Sequence, residues 1–428
     1  MKSGTGDEGC GASAAPRRRC ARGRAGPASV AGMSETAADD PAATGAGEGR
    51  VVLVAHPSAD RYGSDRMLLE SVRGLVAAQW QVVVTLPAGG ELVADLRAAG
   101  AQVTLCPTVL LSKAALTPRG AARLLRDLMS GSVRGWTLLR RTRPDVAYVS
   151  TVTVPWWIVL AWLRRVPVVA HVHEAERSAA RPLRVALGAP LLLARAVAVN
   201  SRFAATVLTD SIPALAHRLR LVPNGVVGPP VVQPARERLE GPLRLVYVGR
   251  LSERKGVDVA VEALVLLRDR GVDARLDLVG AVFPGYEWYE ERLRALVAER
   301  DLDAQIVFCG FQDPAWPYLA AADVALVPSR TDEPFGNTAV EAVLAGRPAV
   351  VAASGGLVEA AADYRTVRLV APGDPAALAD AVEDLTRTWE ATRALIAGDT
   401  ALAAERHAPQ RYRELVASLV ADIAGRGR

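Results

Sequence analysis

The run Val324 to Val327 is apolar at every position and leads directly into the turn-rich SRTDEPFG and then NTAVEAVLAGRP. A strand with no polar face has nothing to offer water, so it belongs in a parallel sheet covered on both sides. After Pro334 and Gly336, Asn337 can cap a helix whose Val340, Val343 and Leu344 recur on one face, and Gly346 and Pro348 end it. Strand, turn and helix together place a helix N-terminus at the carboxyl end of a sheet. Its free N–H groups and the positive end of its dipole suit a phosphate or diphosphate.

Two carboxylates flank that point. Glu333 lies in the loop before the helix, and Glu341 lies one turn inside it, its side chain leaning back toward the N-terminus. If the phosphates belong to a sugar nucleotide, Glu341 is placed to accept hydrogen bonds from the ribose hydroxyls and Glu333 from hydroxyls of the sugar, since a carboxylate has lone pairs for a vicinal diol. On spacing alone, both residues are equally consistent with solvated surface charges.

The segment EPFGNTAVEAVLAGRPAVVAASGGLVE, including Gly355, Gly356 and Glu359, resembles the nucleotide-sugar signature of the family-4 retaining glycosyltransferases. The resemblance implies an α/β chain of GT-B architecture, two Rossmann-like domains facing across a cleft, with the donor held mainly by the second.

Composition is compatible with this and excludes several classes. A chain of 428 residues with 50% apolar and 5% aromatic content suits Ala/Val/Leu-rich α/β layers. The net charge of +5 is spread along the chain without interleaved aromatics, so no nucleic acid partner is expected. Cys10, Cys20, Cys106 and Cys309 are far apart and have no zinc-ligand spacing, which implies no metal and fits a reducing cytoplasm. The longest apolar run, near Val154 to Leu163, ends in two arginines and is too short to span a membrane.

Residues 1–48 lack hydrophobic periodicity and are expected to be a disordered extension, with Met33 opening a segment that reads like an ordinary N-terminus. Residues 49–225 read as the first Rossmann-like domain, the acceptor side. Strands are expected at Val51 to Ala55, Gln81 to Leu86, Gln102 to Cys106, Asp145 to Ser150, Pro167 to Val172 and Ala196 to Asn200. In the first βα unit, Gly63, Ser64 and Asp65 match the family loop whose glycine lets the backbone approach the diphosphate; a plain tight turn is the alternative. The helix from Thr117 to Arg143 carries Arg119, Arg123, Arg126, Arg134, Arg140, Arg141 and Arg143 against one acid, Asp127. That is a solvated face or, by the resemblance, a surface for peripheral contact with anionic lipid. His171, His173 and Glu174 end a strand; period 2 puts both histidines on one face, and the resemblance places His173 beside the reacting sugar.

Residues 226–242 read as a Pro-rich linker after VPNGV, 243–405 as the donor domain, and 406–428 as a helix returning toward the first domain. In GRLSERKG, Arg250 and Lys255 lie five apart across a loop, where both cations can meet one anion. Asp301 to Asp303 spell D-x-D before a strand instead of after one, and read as a turn.

The resemblance implies His173, Glu333, Arg250 and Lys255 around the reacting bond. It lines the donor site with Gly63, Asn224, Gly249, Arg250, Lys255, Phe311, Glu333, Phe335, Gly336, Asn337, Thr338 and Glu341. With Arg250 and Lys255 on the diphosphate, no metal or other cofactor is expected beyond the co-substrate, a UDP-, GDP- or ADP-type sugar. The expected activity is hexosyl transfer with retention to a hydroxyl of a glycan or lipid-linked acceptor, in cell-envelope glycan, glycolipid or glycoside synthesis, in the cytoplasm or on the inner membrane face. The rival readings are a sugar-nucleotide epimerase or hydrolase of the same fold, and a donor-binding subunit without catalysis.

Overall fold

The computed structural model describes residues 49–60, 63–108, 118–175 and 177–425, with 118–127 described by backbone alone. The extension at 1–48, and the side chains of Arg119, Arg123, Arg126 and Asp127, lie outside the described residues.

Two all-parallel sheets form. The first holds β1 (Val51–Ala55), β2 (Gln81–Leu86), β3 (Gln102–Leu105), β4 (Val146–Ser150), β5 (Val168–Val172), β6 (Ala196–Val199) and β7 (Leu219–Leu221), in the order β3-β2-β1-β4-β5-β6-β7. The second holds β8 (Leu243–Val248), β9 (Ala274–Val279), β10 (Ile306–Gly310), β11 (Val324–Val327), β12 (Ala349–Ala352) and β13 (Val367–Val370), in the order β10-β9-β8-β11-β12-β13. These are the two Rossmann-like units of a GT-B fold. Alternate residues of each central strand pack into different cores: Val52 and Val54 of β1 join one buried cluster, and Leu53 and Ala55 join another on the opposite face. A strand that feeds two cores has little room for a polar side chain, which is why β1 is apolar at every position.

Strand order reverses between β1 and β4 in the first sheet and between β8 and β11 in the second. Crevices beyond the carboxyl ends of strands open at such switch points. The segments that leave β1, β8 and β11 carry Gly63, Arg250 and Asn337, so topology alone brings these sequence-distant turns to the two switch points.

The last helix, Pro409–Gly425, packs on the first sheet's side: Tyr412, Val416 and Val420 share a core with Val54, Leu68 and Leu75. Gly74 permits this approach, because a β-carbon there would sit 2.7 Å from the carbonyl oxygen of Arg413. Arg413 also pairs with the buried Glu70 at 2.6 Å. Within the helix Pro118–Thr142, Arg134, Arg140 and Arg141 are exposed together with Val133 and Trp136. Trp157 is buried in the core, whereas Trp162 is exposed. Asp301 to Asp303 form a turn with Leu302 buried between the acids. Among the described residues no helix is long and apolar enough to cross a membrane.

Candidate active site

The helix after β11 runs over Asn337–Leu344, and its N-cap is Gly336, not Asn337 as the sequence suggested. Gly336 has φ 123°, a conformation open to glycine and strained for other residues, and a β-carbon there would lie 2.5 Å from Leu357 Cδ2. The glycine therefore makes the turn, and no side chain caps the helix. Freed from capping, Asn337 accepts a 2.9 Å hydrogen bond at Oδ1 from Nδ2 of Asn224. Thr338 lies half-buried in the first turn. Phe335 was expected at the donor, but its ring is buried in the second domain's core, edge-on to His407 at 5.6 Å. Only its main chain remains for the site. Gly355 and Gly356 pack under this loop, where a β-carbon on Gly356 would meet the Pro334 carbonyl oxygen at 2.3 Å.

Glu333 and Lys255 meet each other. Lys255 Nζ lies 2.8 Å from Glu333 Oε1, which also accepts from Ser329 Oγ at 3.1 Å, while Arg254 stands 3.9 Å from the other oxygen. Burial pushes the Glu333 carboxyl up, but Lys255, Arg254 and the hydrogen bonds outweigh it, and the net pKa is lowered. Lys255 is thus not an open cation beside Arg250, whose guanidinium lies over the Phe283 ring at 5.0 Å. Gly249 and Gly280 allow the ends of β8 and β9 to close up, since a β-carbon on Gly280 would fall 1.8 Å from the Gly249 carbonyl oxygen. Phe311 follows β10 and is 46% exposed. Glu341 is largely buried, which raises its pKa, with Arg66 and then Lys255 opposing the rise.

From the other side comes the helix Gly63–Ala77, which begins at Gly63 itself. A β-carbon on Gly63 would stand 3.6 Å from Asn337 Nδ2, so the N-termini of two helices, one per domain, face each other. Behind Gly63, Asp65 Oδ1 accepts from His56 Nε2 at 2.7 Å and from Ser58 Oγ at 2.6 Å, with His56 and Asp65 fully buried. Arg66, in the same turn, reaches Asp313 at 2.9 Å and Glu341 at 3.4 Å.

His171 and His173 do share a face, with ring centroids 4.1 Å apart. They do different things. His171 is wholly buried and its Nδ1 meets Tyr148 Oη at 2.5 Å, the first link of a network through Ser71 to Tyr412 of the returning helix. His173 lies at the strand end, where burial first and His56 second lower its pKa to about 3, so the ring is neutral. Glu174 accepts from the backbone N–H groups of Val152 and His173 at 3.3 and 3.2 Å, and burial raises its pKa to about 7.

Sheet register puts Ser150 beside His171, one residue after the pairing of Ala55 with Val149 that sets His56 beside Ser150. His56 Nδ1, Ser150 Oγ, His171 Nε2, His173 Nε2 and Asn200 Oδ1 are all buried without a hydrogen-bond partner among the described residues. Buried polar atoms are ordinarily satisfied, so a row of them along one sheet edge marks a place for water or ligand hydroxyls. Thr151 adds backbone strain there: it is buried and β-branched, yet has φ 82°. Sequence reading had missed His56, Ser150, Arg66 and Asp313. The signal for His56 was available, since it follows an apolar strand just as His173 does. For Arg66 and Asp313 there was none, because 247 residues separate partners that only domain packing unites.

Residues 62–227 match the family described as Glycosyltransferase Family 4, and residues 242–388 match Glycosyl transferases group 1. The chain belongs to the family-4, group-1 glycosyltransferases. Its curated relatives include a D-inositol 3-phosphate glycosyltransferase of Acidothermus cellulolyticus, 34% identical over 49% of this chain and 50% of that protein. Another is a 2-deoxystreptamine glucosyltransferase of Streptomyces kanamyceticus, 34% identical over 42% and 48%. The chain thus spans about half the length of these relatives. Among solved structures, Anabaena HepE in complex with UDP and glucose superposes with a TM-score of 0.73 at 20% identity, covering 86% of this chain and 99% of that one. WaaG, described as involved in lipopolysaccharide biosynthesis, gives a TM-score of 0.63 at 16% identity over 86% and 99%. At these identities the likeness establishes the GT-B fold.

Proposed function

We propose that this protein transfers a sugar from a nucleoside diphosphate sugar to a hydroxyl acceptor, with retention at the anomeric carbon. The observation that carries the reading is the meeting of two helix N-termini, at Gly63 and Asn337, with Arg250 and Lys255 on the loop after β8 and Glu341 one turn inside the second helix. Unpaired helix N–H groups and fixed cations favour an anion, and most of all an anion whose charge grows as a bond breaks. Relatives named for glycosyl transfer, and a neighbour solved with UDP and glucose, support a sugar nucleotide as that anion.

In the favoured reaction the acceptor oxygen bonds to the anomeric carbon on the face from which the diphosphate departs. The C1–O bond to phosphate breaks, its electron pair stays on the phosphate, and the acceptor's proton passes to that phosphate oxygen. Arg250 and Lys255 stabilise the leaving group. Glu333, held ionised by Lys255, and neutral His173 orient the sugar hydroxyls. The fixed cations make the reaction independent of divalent metal.

The test pairs thermal unfolding with a product assay over UDP-glucose, GDP-mannose and ADP-glucose, each with and without chelator. A ligand at 100 times its Kd stabilises by about 2.7 kcal/mol, an easily measured rise in Tm. One donor should stabilise the protein and be consumed only when an acceptor is present. Turnover of donor alone would favour an epimerase or hydrolase, and chelator-sensitive turnover restored by magnesium would overturn the cationic clamp.

A further inference from the structure

Arg66 is the one side chain of the first domain whose ion pairs, among the described residues, end on two acids of the second domain's donor half. Nη2 lies 2.9 Å from Asp313 Oδ1 and Nη1 lies 3.4 Å from Glu341 Oε1. The two contacts are unequal: the first is a short charge-assisted hydrogen bond, the second is at the limit of one. Arg66 also stands in the first turn of the Gly63 helix, on the turn that faces the N-terminus at Asn337. The guanidinium thus springs from one of the facing helix ends and contacts the carboxylate assigned above to the ribose.

We infer that Arg66 is a positioning residue for the donor, a clasp across the cleft that Asp313 holds by one arm while the other passes from Glu341 to the donor's phosphate. The inference rests on the donor-site reading above. Ribose hydroxyls donate to Glu341 and so compete with Nη1 for the same lone pairs. Once displaced, Nη1 is still tethered through Asp313, and the donor diphosphate is the anion brought to it. A planar guanidinium presents separate N–H edges in fixed geometry, so one can hold Asp313 while the other turns to the phosphate. One residue thus exchanges a contact within the protein for a contact with substrate, and the exchange ties donor binding to closure of the first domain. It also gives Arg66 opposite effects on ligands with and without phosphates: it assists the first kind and obstructs the second.

That opposition is the test. UDP, GDP and ADP, each beside its matching nucleoside, are titrated calorimetrically into the full chain and into Arg66→Met, Asp313→Asn and the double variant, with folding checked by unliganded melting. Arg66 is 41% exposed, so Arg66→Met should fold normally. The nucleoside diphosphate that binds the unaltered protein should lose about tenfold in affinity in Arg66→Met, the loss of one charge-assisted contact, while the matching nucleoside binds equally or more tightly. Asp313→Asn should weaken the diphosphate less, and adding it to Arg66→Met should change nothing more, because the tether has no cargo. Tighter binding of the diphosphate in Arg66→Met would make Arg66 a mere plug, and equal losses for diphosphate and nucleoside would make it purely structural; either overturns the clasp. Additive losses in the double variant would do the same. If none of UDP, GDP and ADP binds the unaltered chain, the donor-site reading itself fails, a result distinct from these.

Discussion

Arg250 and Lys255 entered as an equivalent pair, and the structure separates them. Arg250 stacks on Phe283 near the surface, whereas Lys255 neutralises a glutamate that is only 5% exposed. Removing Lys255 leaves that charge with Ser329 and a distant Arg254, and stranding a buried carboxylate costs about 3–5 kcal/mol. Lys255→Ala should therefore lower both turnover and unfolding free energy, while Arg250→Ala lowers turnover with stability nearly intact. Denaturant melts beside kcat measurements check this; equal stability of the two variants would mean that Glu333 finds another partner. His173 and Glu174, adjacent in sequence, titrate in opposite senses. Glu174 has its pKa raised from 4.5 to about 7, so between those values the folded chain holds a proton that the unfolded chain has released. Stability from this group is therefore full at low pH and is lost as pH rises toward 7. His173, lowered from 6.5 to about 3, does the reverse, losing stability as pH falls through that window. Relative to the unaltered protein, Glu174→Gln should gain stability steadily from pH 5 to 7 and then level off. A pH-independent gap between the two melting curves would show that Glu174 is ionised throughout.

At the scale of elements, the strands and the helix that follows each were legible because burial on both faces forces continuous apolar runs, a pattern no loop imitates. Val324 to Val327 and Val51 to Ala55 both form where their composition placed them. Helix starts were less legible, for a physical reason visible at two of them. Asn337 is a good capping residue by type, but the cap position went to Gly336 because the turn needs φ 123°, and the asparagine was released to hydrogen-bond Asn224. The first helix begins at Gly63, inside the segment Gly63 to Asp65 that the sequence reads as a loop, since glycine at a helix start can mean either a turn or a first residue. This shift places Arg66 inside the first turn and puts Gly63 at the helix N-terminus. Phe335 misled for another reason: it sits in a motif where neighbours face the cleft, and only the core around His407 and Leu357 shows that its ring turns inward.

For the whole molecule, the decisive contacts are those that join the two sheets, and they are polar. Ser201 Oγ donates to the Pro334 carbonyl, and Asn224 bonds Asn337. Glu359 of the second domain adds to the Ser201 cap of a first-domain helix, Arg202–Ser211, accepting from the N–H groups of Arg202 at 2.8 Å and Phe203 at 2.6 Å. A cap supplied from another domain stabilises the helix only while the domains are closed, so its free energy belongs to closure instead of folding. Loss of a helix cap costs about 1 kcal/mol, or roughly fivefold in an equilibrium between open and closed forms. Glu359→Ala should consequently melt almost normally, bind nucleoside diphosphate within a few-fold of the unaltered protein, and yet turn over several-fold more slowly, because in the proposed function transfer needs Gly63 and His173 brought against the donor whereas binding draws mainly on the second domain. Small-angle scattering of the unliganded chain should show a larger radius of gyration than the unaltered protein, reduced again by saturating donor. A variant with unchanged radius and unchanged kcat would place the energy of closure in Arg66 and the asparagine pair instead, and a variant that lost nucleotide affinity in step with kcat would mean that donor binding itself requires the closed form.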